Sequence, residues 1–252
     1  MTKSVKVLVV DDEPVILESA KKILGFFGLD VLTAADGEAG LKTLSTEAPD
    51  IVITDLVLPG ISGINLLETA LDHDPGVVVI LTTGYSTVEN AVAALKRGAF
   101  DFLPKPFTCD ELLSCAMRAR RAVEARLVLR AHRPDPKRRG DFRLGLQTWA
   151  RPEPDGTALL GVTELELETI DTLEAIDLQD IGSELRQGGR LAGLTTREAI
   201  THNLWSPLGG RVLAHNEALK NEPETLRHNP QAWIVRIRPA DLDAELANLI
   251  EA

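Results

Sequence analysis

The chain has 252 residues, 44% hydrophobic and 26% charged, a composition that suits a globular protein with a real core and a length that suits two domains. Its formal net charge of −11 is unevenly spread: residues 1–107 carry 8 Lys/Arg against 15 Asp/Glu, residues 108–140 carry 9 against 4, and residues 141–252 carry 10 against 19. Both ends are acidic, which argues against a nucleic-acid groove on either; only the middle is basic. No stretch approaches a membrane span, and the apolar run Val7–Val10 is too short for a signal peptide. Cys109 and Cys115 are six apart on one predicted helix, a spacing that does not set them on one face for a bridge, so they read as reduced thiols of a cytoplasmic protein.

In chain order, Val5–Val10 is a β-branched apolar run, read as a buried strand that ends in Asp11-Asp12-Glu13-Pro14. Pro14 suits the first position of a helix, where its missing N–H costs nothing, and Ile16, Leu17, Ala20, Ile23, Leu24 and Phe27 follow at helical spacing to about Gly28. Leu29–Ala34 reads as a strand, and Asp36-Gly37 opens a helix to about Ser45. Ile51–Asp55 is an apolar strand ending in a carboxylate, with Leu58-Pro59-Gly60 behind it and a helix from about Ser62 to Leu71. Val77–Thr82 is the next strand, then a helix from about Thr87 to Arg97, then Ala99–Leu103 and Pro104-Lys105-Pro106. Five β-α repeats predict a doubly wound parallel sheet.

Ligands of such sheets bind outside the carboxyl ends of the strands. Asp11 and Asp12, Asp55, Thr83 and Lys105 all fall at that edge. Three converging carboxylates repel unless a hard divalent cation such as Mg²⁺ compensates them. A metal beside a carboxylate, with a lysine and a hydroxyl, is what phosphoryl transfer requires, and Asp forms aspartyl phosphates. Ser62, Thr54 and Thr82 read as packing or capping residues.

The motifs VLVVDDEP, IVITDLVLPGISG and VVVILTTGYSTVENAVAALKRGAFDFLPKPF make residues 1 to about 125 resemble the receiver domain of two-component response regulators, a flavodoxin-like (βα)₅ fold. The resemblance implies that Asp55 is the phosphoacceptor, that Asp12 and Asp55 hold Mg²⁺ directly with Asp11 acting mainly through water, and that the Val57 carbonyl is the remaining protein ligand. It further implies that Thr83 and Lys105 contact the phosphoryl group, that Phe102 is the aromatic switch, and that Lys105-Pro106 is cis. Val57 departs from the Met often found there; its side chain and Tyr85 are placed to tune access of hydrolytic water.

Thr108–Glu111 forms a capping box for a helix that runs to about Ala131. Residues 118–139 are rich in arginine, and Pro134 and Pro136 mark a linker, giving domains at 1–125 and 141–252 joined by a basic linker at 126–140. That stretch reads as a solvated helix face and tether, the alternative being a signalling helix that pairs across a homodimer or docks on the acidic neighbour. From Asp141, short β-rich segments alternate with Gly, Asp and Pro turns, predicting a small antiparallel β domain. It carries neither a helix-turn-helix pattern nor a Gly-rich phosphate loop, and His202, His215 and His228 lack metal spacing.

The stretches LQTWA, LLGVTELELETIDTLEAIDLQDIGSELRQGGRLAGL, NLWSPLGGRVLAHNEALKNEPETL and QAWIVRIR make residues 142–239 similar to the glycine cleavage H protein, a lipoyl/biotinyl hammerhead. Gly161, Gly182, Gly188 and Gly193 are expected in tight turns. Counting back from Ser206-Pro207, the lipoyl-lysine position holds Ala199, and the one lysine after residue 140 is Lys220, away from that hairpin tip. Lipoylation is therefore not expected, and the scaffold reads as a binding module.

The resulting expectation is a cytoplasmic multi-domain α/β plus β phosphorelay protein, phosphorylated on Asp55 by a sensor histidine kinase with Mg²⁺. An unidentified protein engages its H-like domain; nucleic acid and membrane are not expected partners. It is not expected to be an enzyme beyond its own phosphotransfer and dephosphorylation. The alternatives are a phospho-controlled component or mimic in glycine cleavage or lipoyl metabolism and, disfavoured by the acidic C-terminal half, a transcription factor.

Overall fold

The computed structural model describes residues 4–84, 88–125, 141–229 and 231–251. The basic linker at 126–140 and Tyr85 lie outside the described residues, as does any continuation of the helix toward Ala131. The chain divides into two compact units.

In the first, β1 (Lys6–Val10), β2 (Asp30–Ala34), β3 (Ile51–Asp55), β4 (Val78–Thr83) and β5 (Asp101–Pro104) form one parallel sheet in the order β2-β1-β3-β4-β5. The order reverses at β1, which opens a crevice at its carboxyl end. Every residue of β3 and β4 is buried, as strands covered on both faces require. The helices of this unit are α1 (Pro14–Phe26), α2 (Gly37–Glu47), α3 (Gly63–His73) and, after α4 (Val88–Lys96), which joins β4 to β5 in sequence but falls outside this unit, α5 (Cys109–Glu124); α1 packs on α5, and α2 on α3.

Local chemistry sets the helix starts. Pro14 occupies the first turn of α1, and Asp36 and Ser62 accept the Ala39 and Asn65 N–H groups. At α5 the capping box is complete: Thr108 N–H donates to Glu111 Oε2 at 2.7 Å, and Glu111 N–H donates to Thr108 Oγ1 at 3.2 Å. Asp101 and Arg118, both buried, tie α5 to β5 by an ion pair, and the Cys115 thiol donates to the same carboxylate at 3.2 Å. Cys109 and Cys115 are both free, Cys109 exposed and Cys115 buried.

The second unit is antiparallel. β6 (Phe142–Leu144), β7 (Thr148–Pro152), β8 (Ala158–Val162), β10 (Glu184–Leu185), β13 (Gly210–His215), β14 (Trp233–Pro239) and β15 (Ile250–Glu251) form a seven-stranded sheet in the order β10-β13-β14-β8-β7-β6-β15. β9 (Leu173–Leu178), β11 (Arg190–Thr196) and β12 (Thr201–Trp205) form a three-stranded sheet with β11 central. Short helices α6 (Glu164–Thr169), α7 (Ala218–Asn221), α8 (Thr225–His228) and α9 (Leu242–Leu246) fill the connections. Arg227 of α8 donates to the carbonyls of Leu167, Ile170 and Asp171, which closes the end of α6. Among the described residues no helix is long and apolar enough to cross a membrane.

The glycines divide into two kinds. Gly182 and Gly188 lie in turns with φ of 91° and 73°, as expected. Gly161 and Gly193 do not: both sit inside strands, β8 and β11. A Cβ on Gly161 would run into the indole of Trp149, and one on Gly193 into the Arg190 guanidinium. At Gly161 the small residue is required by close approach to a buried ring, not by a turn; at Gly193 the neighbour is the end of a flexible side chain that can give way. Gly161→Ala is expected to destabilise the chain by about 1–3 kcal/mol, read as a lower urea midpoint by tryptophan fluorescence. An unchanged midpoint would show that the indole can move aside.

Candidate functional site

Asp11 follows β1 directly, and its N–H donates to Ala34 O of β2 at 3.1 Å, so the main chain is fixed at the crevice. Its Oδ1 accepts the Glu13 N–H at 2.9 Å, which turns the side chain inward. Asp55 closes β3. Its Oδ1 accepts the Val57 N–H at 2.9 Å, and it is 7% exposed. Gly63, first residue of α3, comes so near the Asp55 carbonyl that a Cβ there would overlap it. Lys105 follows β5, positioned by its N–H donating to Thr83 O at 2.8 Å and by a cis bond to Pro106.

The Lys105 ammonium joins these parts. It lies 2.6 Å from Asp55 Oδ2, 2.8 Å from Asp11 Oδ2 and 3.1 Å from Glu13 Oε1. Carboxylate oxygens of Asp11, Asp12 and Asp55 lie within 4.8 Å of one another, Asp12 exposed and the other two buried. Burial holds the Asp11 carboxyl above the usual carboxylate range despite the Lys105 hydrogen bond and the Glu13 N–H, and the Asp55 charge adds to the rise. Burial also works against the Lys105 ammonium, but its hydrogen bonds to Asp11, Asp55 and Glu13 outweigh that and hold its proton more tightly than in an ordinary lysine. One ammonium thus bonds three carboxylates, with Asp12 a further one beside Asp11 and Asp55. The set of Asp11, Asp12 and Asp55 is all oxygen, two of the three buried, and short of positive charge, which fits a hard divalent cation such as Mg²⁺.

Thr83 is buried at the carboxyl end of β4, paired in register with Pro104. Phe102 is buried inside β5, opposite Leu81. Thr54 is buried and donates to the Asp55 carbonyl, and Thr82 is buried in β4; with Ser62 as an N-cap, the three have structural places. Sequence reasoning missed Glu13 as a partner of Lys105. The only signal was its place in the acidic run, and an exposed side chain's reach is not written there.

Residues 7–116 match the response regulator receiver domain, and residues 143–252 match the glycine cleavage H-protein. The chain is a receiver domain followed by an H-protein domain. Over 126 residues, 49% of this chain and 28% of the relative, it is 36% identical to the nitrogen assimilation regulatory protein NtrX of Azorhizobium caulinodans. Over 109 residues, 43% of this chain and 47% of the relative, it is 38% identical to the probable transcriptional regulatory protein TcrX of Mycobacterium tuberculosis. The chain thus spans less than half the length of these curated relatives. The crystal structure of the NtrX receiver domain of Brucella abortus matches at 37% identity and a TM-score of 0.43, over 45% of this chain and 96% of that one. The receiver is homologous to those of two-component response regulators, a family whose receivers generally bind Mg²⁺ at an acidic pocket.

In the H-protein domain Ala199 lies on the turn joining β11 to β12, where Thr195 pairs with Thr201. Its φ is 60°, its N–H donates to Thr196 O at 2.9 Å, and Thr196 N–H donates to Ile200 O at 2.9 Å. Lys220 lies on α7, 3.1 Å from Glu217 Oε1. His215 is bonded to Gln179 O at 2.7 Å, and His202 is buried.

Proposed function

We propose that the chain is a response regulator in which Asp55 accepts a phosphoryl group from a sensor histidine kinase, and that the H-protein domain passes the resulting state on as a binding module with no lipoyl arm. The observation that carries the first part is the Asp55 carboxylate: buried, at a strand end, held by Lys105 at 2.6 Å and grouped with Asp11 and Asp12. An Asp55 oxygen attacks phosphorus, an O–P bond forms, and the P–N bond to the kinase imidazole breaks, the nitrogen keeping the electron pair. Lys105 shifts its contact to a phosphoryl oxygen, and the Thr83 hydroxyl donates to another. Asp12 and Asp55 would hold Mg²⁺ directly, with the Val57 carbonyl as a further ligand and Asp11 acting through water. When bound, the ion supplies positive charge against the carboxylates and the phosphoryl oxygens. Water attack on phosphorus later returns the free carboxylate and inorganic phosphate. Beyond this self-directed chemistry the reading assigns no enzyme activity.

Thr83 engagement and repacking of Phe102 distinguish two receiver states, and phosphorylation shifts partner binding only as far as the partner discriminates between them. The second part rests on Ala199, which offers no amine at the hairpin tip for an amide-linked cofactor. One second reading is favoured by the H-protein match itself: a mimic that engages glycine-cleavage or lipoyl enzymes without carrying their cargo. The curated relatives are regulatory proteins by name, but the acidic H-protein domain does not suit a DNA groove.

Intact mass before and after incubation with Mg²⁺ and acetyl phosphate tests this. Gain of one phosphoryl group by the chain and none by Asp55→Asn, with no lipoyl adduct on protein from its native host, is the expected result. Equal gain by the variant would move the acceptor elsewhere, and a lipoyl adduct would refute the assignment of Ala199.

A further inference from the structure

Glu13 is the N-cap residue of α1, a position where Ser, Thr, Asp or Asn commonly closes a helix end through the side chain. Glu13 makes no side-chain cap bond there. Its carboxylate turns instead to Lys105, with Oε1 3.1 Å from the ammonium. The reach starts from a fixed main chain: the Glu13 N–H donates to Asp11 Oδ1, and the Glu13 carbonyl accepts the Ile16 and Leu17 N–H groups. Of the three carboxylates on Lys105, those of Asp11 and Asp55 are buried, whereas the Glu13 side chain is 61% exposed. Lys105 is thus suspended between two carboxylates inside the crevice and one at its mouth.

We infer that Glu13 is a positioning residue: it keeps the Lys105 ammonium at the mouth of the crevice, and its charge strengthens the hold on a divalent cation while weakening that on the phosphodonor. The inference rests on the proposed function. On that reading Asp11, Asp12 and Asp55 serve the metal and Asp55 also becomes the ester. Of the three carboxylates bonded to Lys105, Glu13's is then the one that the chemistry does not call on. It can hold the ammonium throughout, near where the phosphoryl oxygens arrive. A compact charge on a flexible four-carbon stem needs such an anchor. Without it the ammonium settles wholly on Asp11 and Asp55, where it competes with the cation for the same oxygens. The extra negative charge at the mouth attracts a divalent cation and repels an incoming dianion.

The full chain and Glu13→Gln are titrated with Mg²⁺ in a calorimeter, without phosphodonor. The variant is expected to bind Mg²⁺ about three- to tenfold more weakly, the scale of one unit charge near a divalent ion at a partly exposed site. Intact mass then follows phosphoryl gain from acetyl phosphate at saturating Mg²⁺. The half-saturating donor concentration should fall by about three- to tenfold. The maximal rate should fall too, because the ammonium is no longer held. Phosphoramidate, which carries less negative charge, should show a smaller fall in half-saturation. Glu13→Asp keeps the charge and shortens the reach, so it should bind Mg²⁺ and donor as the parent does and lose only maximal rate. A merely structural role would not move metal and donor in opposite directions. Equal Mg²⁺ affinity in the parent and Glu13→Gln overturns the inference. So does a donor half-saturation that stays or rises in Glu13→Gln, or a Glu13→Asp chain that behaves like Glu13→Gln. The Mg²⁺ titration needs no phosphodonor, so it decides the hold of Glu13 on the site even where Asp55 gains no phosphoryl group, an outcome that sinks the proposed function alone.

Discussion

Lys105→Met is expected to lower the unfolding free energy in EDTA by about 3–5 kcal/mol, the range for removing one partner of a buried ion pair. The side chains of Asp11 and Asp55 are 2% and 9% exposed, and Lys105 bridges both. Without it two buried carboxylates face each other uncompensated. The deficit should shrink in acid. Asp11's folded pKa is raised, so the folded protein binds this proton more readily than the unfolded chain. Its contribution to stability is therefore complete below the unfolded value and is lost as pH rises through the folded one. With Lys105 gone, protonating Asp11 removes the repulsion, and the variant approaches the parent as pH falls. Saturating Mg²⁺ should also restore stability, by about 2.7 kcal/mol at a hundredfold excess over the dissociation constant. Denaturant titrations followed by helical circular dichroism, at two pH values and with and without Mg²⁺, check all three. A deficit independent of both pH and Mg²⁺ would mean that Lys105 matters by packing and not by charge.

Trp149→Ala is expected to cost about 3–5 kcal/mol and to leave the H-protein domain marginally folded. Trp149 is fully buried, its Nε1 donates to Val162 O at 2.9 Å, and the Arg151 guanidinium lies 5.1 Å from its ring. The indole fills the space left by Gly161, so no neighbouring side chain can close the gap. Trp149→Phe keeps most of the burial but strands the Val162 carbonyl and should cost about 1–3 kcal/mol. Fluorescence of Trp205 and Trp233 in urea reports both variants. A cost below 1 kcal/mol for the alanine variant would show that the sheets collapse onto the vacated volume.

The receiver was legible because its determinants are local. β3 and β4 are covered on both faces, so they read as unbroken apolar runs, and a parallel sheet gathers the residue after each strand at one edge. Asp11, Asp55 and Lys105 could thus be brought together without coordinates. Glu13's hold on Lys105 could not, because an exposed side chain chooses its partner by rotamer. In the H-protein domain the antiparallel character was legible from short β-rich segments between Gly, Asp and Pro turns, but the split into seven and three strands was not, since it depends on which short strands pair. Gly161 and Gly193 were misplaced for a related reason: a glycine inside a strand and one needed for a positive φ look alike until the neighbour across the sheet is known.

The hairpin tip holds Ala199 with φ of 60°, a conformation that costs a residue with a Cβ on the order of 1 kcal/mol. The bonds that close it run between Thr196 and Ala199 and between Thr196 and Ile200, main-chain to main-chain except for the Ile200 N–H that donates to the Thr196 hydroxyl at 3.3 Å. No hydrogen bond of the turn therefore uses the side chain at its apex. On the proposed reading, the bare tip keeps its main-chain frame without an arm. Losing the arm need not have disturbed the surfaces by which such a domain is grasped, and selection could keep those surfaces for signalling after the chemistry had gone.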